Sequence, residues 1–116
     1  MRHKIKTNRL DRFSSLRKAT VNSIARAVII NQSVKTTHAK AKVLQPFFDR
    51  VMTHAKKTTN SSKQQVQSLL NNEKAMKKAQ TTLTKRYADR TSGYTRIIRM
   101  ERRKGDNATQ VIIELV

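Results

Sequence analysis

Twenty-six lysines and arginines face seven aspartates and glutamates in a chain of 116 residues, a formal charge of +19. This imbalance constrains the fold more than any other feature. Like charges at that density repel across a compact surface and destabilise it. A polyanionic partner whose phosphates neutralise the surface relieves the repulsion, so nucleic acid is the first candidate ligand. With 36% hydrophobic residues the chain can still build a modest core, and its length suits one domain, residues 1–116, rather than two cores and a linker.

Other destinations fit less well. The longest apolar run, Ala27 to Ile30, falls far short of the ~20 residues of a spanning helix. The chain also lacks tryptophan and the broad aromatic and leucine face of an interfacial anchor, so no membrane partner is expected. Absence of cysteine rules out disulfides and thiolate metal sites and suits a reducing compartment, with the cytoplasm as default. The first thirty residues are basic, with Asp11 as their one acid, like a mitochondrial transit peptide. Their apolar stripe argues instead for a retained arm and helix.

Met1 to Phe13 carries Arg2, His3, Lys4, Lys6, Arg9 and Arg12, with too few apolar residues to fold alone. It reads as a basic arm, 1–13, that becomes ordered on phosphates. Ser14 or Ser15 can cap a helix over 15–30, with Leu16, Thr20, Ile24, Ala27 and Val28 recurring at helical spacing. Asn31 and Gln32 end it, and Val34 to Thr36 suggests a short strand. Thr36 or Thr37 can cap a second helix with a stripe of Ala39, Val43, Leu44, Phe47, Phe48, Val51 and Met52. Pro46 inside it offers no amide to the Lys42 carbonyl and predicts a kink or a split.

A polar stretch, Thr58 to Ser62, leads to a third helix carrying Val66, Leu69 and Leu70. Asn71 or Asn72 restarts the chain into a fourth, with Ala75, Met76, Ala79, Leu83 and Tyr87 on one face and lysines opposite. After Gly93 the period changes. Tyr94 to Arg103 and Thr109 to Val116 alternate roughly and flank Lys104-Gly105-Asp106-Asn107, a turn cluster. The expected fold class is α+β: a mainly helical part, 14–92, and a C-terminal β-hairpin, 93–116.

No enzyme chemistry emerges. His3, His38 and His54 are far apart and have no neighbour at metal-ligand spacing, the acids form no local pair, and two glycines make no phosphate loop. Neither a metal, a cofactor nor a small-molecule substrate is therefore expected. Two basic blocks survive this filter, Arg2 to Lys18 and Lys85 to Lys104, both rich in arginine, whose guanidinium forks onto phosphate oxygens. Five aromatics are too few for a single-strand stacking platform, which favours reading phosphates and RNA shape. A DNA-binding architectural protein is the alternative, although no recognition helix or minor-groove wedge is evident.

At this point the residues resemble a family, the bacterial large-subunit ribosomal protein numbered seventeen. The matching stretches are Met1-Arg2-His3, Leu10-x-Arg12-x-Ser14-Ser15-x-Arg17-x-Ala19, and Lys35-Thr36-Thr37-x-x-Lys40-Ala41-Lys42. They continue in Gly93-Tyr94-Thr95-Arg96-Ile97, Gly105-Asp106-Asn107-Ala108 and Ile113-Glu114-Leu115-Val116. Their order and spacing span the whole chain. The chain departs from the family at Thr7-Asn8, where Gly-Arg is frequent, at Ser92-Gly93, where two glycines are frequent, and at Pro46.

The resemblance implies a two-layer domain with about four helices on a mixed three-stranded sheet, the strand near Val34 joining the hairpin. It implies a structural role on the large ribosomal subunit, contact with its RNA and neighbouring ribosomal proteins, and a position near the polypeptide exit tunnel. Carried over by residue, the implied RNA contacts are Arg2, His3, Arg12, Ser14, Ser15, Arg17, Lys35, Lys40, Lys42, Tyr94, Arg96 and Arg99, to which the arm adds Lys4 and Arg9. For Tyr94 two roles stay open, stacking on a base or packing under the hairpin.

Overall fold

The computed structural model describes His3 and residues 8–116. Four helical stretches and a three-stranded sheet make up the fold, the first two helices lying on one face of the sheet and the other two packing on those helices. Helix α1 (Ser14–Asn31) leads into strand β1 (Ser33–Thr37), then α2 (His38–Lys56) and α3 (Asn60–Leu70). The fourth helical stretch opens as α4 (Glu73–Lys78), widens into a π-helical segment (Ala79–Leu83) and closes with α5 (Thr84–Arg86). Strands β2 (Thr95–Arg99) and β3 (Gln110–Leu115) form the C-terminal hairpin.

The sheet order is β1-β3-β2, and β3 pairs antiparallel with both neighbours. It is therefore wholly antiparallel rather than mixed, as the resemblance had implied. Val34 faces Ile113 and Thr36 faces Val111 on one side of β3, while Thr95 faces Leu115 and Ile97 faces Ile113 on the other. Backbone bonds hold the β1–β3 pair at both ends: the Leu115 amide donates to the Gln32 carbonyl and the His38 amide to the Thr109 carbonyl, each at 3.0 Å. Because side chains alternate along a strand, Val111, Ile113 and Leu115 enter the core while Ile112 and Glu114 face outward.

The helices bury one stripe each. In α1 that stripe is Val21, Ala25, Val28 and Ile29, not the one through Leu16, which is 53% exposed. The two stripes share Val28, but the expected one runs through Thr20, whose hydroxyl bonds back to the Leu16 carbonyl at 2.9 Å. Neither serine caps α1: Phe13 is the N-cap residue and Ser14 already lies in the first turn. Gln32 closes the helix in a left-handed conformation, φ 69°, its amide bonded to the Val28 carbonyl.

In α2, Ala41, Leu44, Phe48, Val51, Met52 and Ala55 are buried, and the helix runs through Pro46 without splitting. A single missing amide is tolerated where the flanking turns are anchored in the core on both sides. The Thr59 side chain caps α3 by accepting from the Ser62 amide, and the Asn72 side chain caps α4 by accepting from the Ala75 amide at 2.9 Å.

The fourth stretch explains its own irregularity. Ala75, Ala79, Leu83 and Tyr87 are all buried at a uniform spacing of four. On an ideal α-helix each such step rotates the stripe by about 40°, since 3.6 residues make a turn. The π-helical segment bonds five residues back and takes up that drift, keeping the positions on the core side. Lys78 then donates to the Ile30 carbonyl at 3.0 Å, satisfying a carbonyl at the end of α1. At the far end the Tyr87 and Tyr94 rings lie 5.2 Å apart at 60°, an edge-tilted pair joining this helix to the start of β2.

Candidate nucleic-acid interface

The sequence-derived contact residues fall into two regions. The first is the start of α1. Arg9, Ser14 and Ser15 are exposed there, and Arg12 and Arg17 are half-buried. A tight bend precedes the helix: Leu10 and Asp11 both take left-handed conformations, the Leu10 amide donates to Asn8 Oδ1 at 3.0 Å, and the Arg12 amide to the Arg9 carbonyl at 3.2 Å. His3 is exposed. Arg2 and Lys4 lie outside the described residues, as does most of the expected arm.

The second region is the outer face of the sheet with the hairpin loop. On that face Lys35, Ile112 and Ile98 stand side by side across the three strands, and Ser33, Glu114 and Arg96 form the adjacent row. Ile98 and Met100 are 42% and 38% exposed. A shallow concavity of about 560 Å³ is lined by Lys35, Met100, Glu101, Arg102, Arg103, Lys104 and Gln110. The sheet thus brings a β1 lysine beside three consecutive basic residues some seventy positions later. Helix α2 begins at the same end, because its first amide is bonded to Thr109, and it adds exposed Lys42 and half-buried Lys40.

Paired and unpaired cations differ here. Arg96 donates through Nε to Glu114 at 2.9 Å, and Arg103 through Nε to Asp106 at 3.0 Å. Among the described residues, Lys35, Arg99, Arg102 and Lys104 have no ion-pair partner. Lys35, Arg102 and Lys104 can meet phosphates on the outer side, Arg102 giving up only a long bond to the Asn107 carbonyl at 3.4 Å. Arg99, opposite buried Val111, lies on the other face of the same end. Arg102, Arg103 and Lys104 were absent from the residues carried over by resemblance, although their run in the sequence was the available signal.

Tyr94 is settled by its surroundings. It is 1% exposed, its hydroxyl donates to the Arg90 carbonyl at 3.0 Å, and the Lys56 ammonium lies 4.9 Å from its ring centroid. Of its two open roles, packing is the one realised, because a ring enclosed by Tyr87 and Lys56 presents no face to a base. Burial likewise raises the Tyr87 phenol above its ordinary pKa, opposed by Arg86 and Arg90.

The hairpin turn is held electrostatically. The Arg103 side-chain hydrogen bond, with the Ala108 amide adding to it, lowers the Asp106 carboxyl to about 2. A carboxyl lowered on folding contributes stability above its ordinary value of 3.8, and that contribution is lost as pH falls through about 2. A carbon-detected NMR titration is expected to place the Asp106 midpoint near 2, and Arg103→Ala to return it towards 3.8. A midpoint unmoved by that substitution would break the assignment.

A family model described as ribosomal protein L17 matches residues 20–116. The chain belongs to the ribosomal protein L17 family. Curated relatives named large ribosomal subunit protein bL17 agree over the whole chain. The protein of Petrotoga mobilis is 36% identical over 100% of this chain and 97% of its own length. Those of Maricaulis maris and Salinibacter ruber are 41% and 40% identical, again over the full chain, which spans 83% and 59% of their lengths. The L17 match begins inside α1, and the relatives' similarity extends over the start of that helix and the bend before it as well. Among the described residues no helix is long and apolar enough to cross a membrane, and no group of three potential ligands gathers for a metal.

Proposed function

We propose that this L17-family chain is a structural component of the large ribosomal subunit that binds ribosomal RNA through phosphates and RNA shape, without catalysis. The observation that carries this reading is the end of the sheet where Lys35, Arg102 and Lys104 line an open concavity without an ion-pair partner among the described residues, with Arg99 likewise unpaired at the same end. Such a surface offers cations to a backbone and no stacking platform, since Tyr94 is buried. The start of α1, with Arg9, Arg12 and Arg17, is the second contact region, and the basic arm with Arg2 and Lys4 extends it.

The relatives' description as large ribosomal subunit proteins supports this placement. Proximity to the exit tunnel and to other ribosomal proteins, in the cytoplasm, belongs to the same reading and rests on family likeness. Sucrose-gradient fractionation of cells, with the chain detected across fractions at moderate and high salt, tests it. Co-migration with large subunits that persists through the high-salt wash is the expected result. Recovery on nucleoid fractions with none on subunits would replace it with DNA compaction.

A further inference from the structure

Where α1 crosses α2 the surface carries a groove of about 210 Å³, and among the contacts proposed above only Arg17 lines it. Its floor is apolar: buried Val21, half-buried Val43 and Phe47, and the exposed ring of Pro46. Asn22 stands in the wall, and Arg17, Lys18 and Arg50 form the rim. No acidic residue lines it. Among the described residues none of the three rim cations has an ion-pair partner.

We propose that this groove seats a single unstacked base of the RNA, its ring against Phe47 and Pro46, its edge on Asn22 and its flanking phosphates on Arg17, Lys18 and Arg50. The inference rests on the RNA-binding reading above and adds a second mode to it. The contacts proposed elsewhere are with phosphates; here an apolar slot, including the Phe47 and Pro46 rings, shares its lining with three cations. A nucleotide presents that combination within one residue, a flat apolar ring between two anions. A protein side chain would fill the floor but leave three cations unanswered, and a duplex cannot lower a base into it. The volume is below the ~300–1,000 Å³ of metabolite pockets, so a free cofactor fits poorly.

Two residues sharpen the assignment. The Asn22 amide both donates and accepts, as pairing with a base edge requires. Pro46 deprives α2 of an interior hydrogen bond, yet the helix continues through it and its rigid ring is presented to the groove rather than to the core. A residue unfavourable to its own helix has a use in that position.

The test compares the full chain with its Phe47→Ala and Asn22→Ala variants in binding a full-length large-subunit ribosomal RNA transcript over a range of salt. Asn22→Ala introduces a good helix former at a half-buried site and keeps the test valid if Phe47→Ala folds poorly. Both variants are expected to weaken binding, Phe47→Ala by about tenfold, with the log–log salt slope unchanged because no charge is removed. Ultraviolet crosslinking of the unaltered chain is expected to give a nucleotide adduct on the peptide containing Phe47. Full affinity in Asn22→Ala, with no adduct on that peptide, would overturn the proposal while leaving salt-dependent RNA binding in place. Unchanged RNA affinity in both variants but reduced retention on large subunits would assign the groove to a protein neighbour and also overturn it. No binding of the transcript by the unaltered chain would overturn the RNA reading itself, and the groove proposal with it.

Discussion

A Phe48→Ala variant is expected to lose about 3–5 kcal/mol of folding stability and to melt at least about 10 °C below the unaltered chain. Phe48 is fully buried on the helix that touches α1, α3 and all three strands. Truncating it removes the largest apolar side chain of α2's core stripe and leaves a void that neighbours from both layers cannot fill together. The margin is narrow, because small domains have only ~5–15 kcal/mol in total and a charge of +19 acts against compaction. Added salt should therefore raise the melting temperature of both proteins by screening that repulsion, while the gap between them persists. Circular dichroism melts at two salt concentrations measure both effects. A Phe48→Ala gap under about 1 kcal/mol would mean that the two layers repack around the void, contrary to a close-packed interior.

Phe47, one position away, shows what the sequence could and could not convey. Apolar spacing placed Val43 and Phe47 in the same stripe as Leu44 and Phe48, since steps of three and four are both compatible with a helical face. The structure buries Leu44 and Phe48 and leaves Val43 and Phe47 half-covered at the α1 crossing. Which of two adjacent stripes goes inward depends on the crossing of a second helix, and spacing within one helix does not contain that. The same limit moved the α1 stripe from Leu16 to Val21. Helix existence was legible from apolar spacing, and the Asn71–Asn72 break and the hairpin at Gly105 from local cap and turn chemistry. The side-chain caps expected at Ser14 or Ser15 and at Thr36 or Thr37, by contrast, do not form. The π-helical segment was not, because a uniform spacing of four from Ala75 to Tyr87 reads as an ordinary α-helix.

For the interface, the run Arg102-Arg103-Lys104 was visible and Lys35 was visible, but their meeting was not. It follows from β3 lying between β1 and β2, a long-range pairing set by two bracketing backbone bonds at Gln32 and His38. The mixed sheet implied by family likeness failed on the same point, since the direction of β1 is fixed by that pairing. Charge counting also treated Arg96 and Arg103 as equal to Arg99 and Arg102, whereas the fold gives the first pair carboxylate partners.

That distinction leads to the second large expected effect. Replacing Lys35, Arg99, Arg102 and Lys104 together by alanine should flatten the log–log salt dependence of ribosomal RNA binding by about three to four, close to one for each phosphate no longer neutralised. Between 50 and 200 mM salt, the fall in affinity of the variant would then be smaller than that of the unaltered chain by about a hundredfold. The control removes the same charge elsewhere: Lys57, Lys63, Lys74 and Lys77 are all exposed, lie outside both basic blocks, and sit at the far end of α2, on α3 and on α4. From the His38 junction, that end of α2 is about 28 Å away at 1.5 Å per residue, beyond the Debye length of ~8 Å at physiological salt. If the sheet end is the docking surface, the control quadruple should change the slope by less than about one. Equal flattening by both sets would show that RNA responds to total charge rather than to this surface, and the proposed interface would lose its basis.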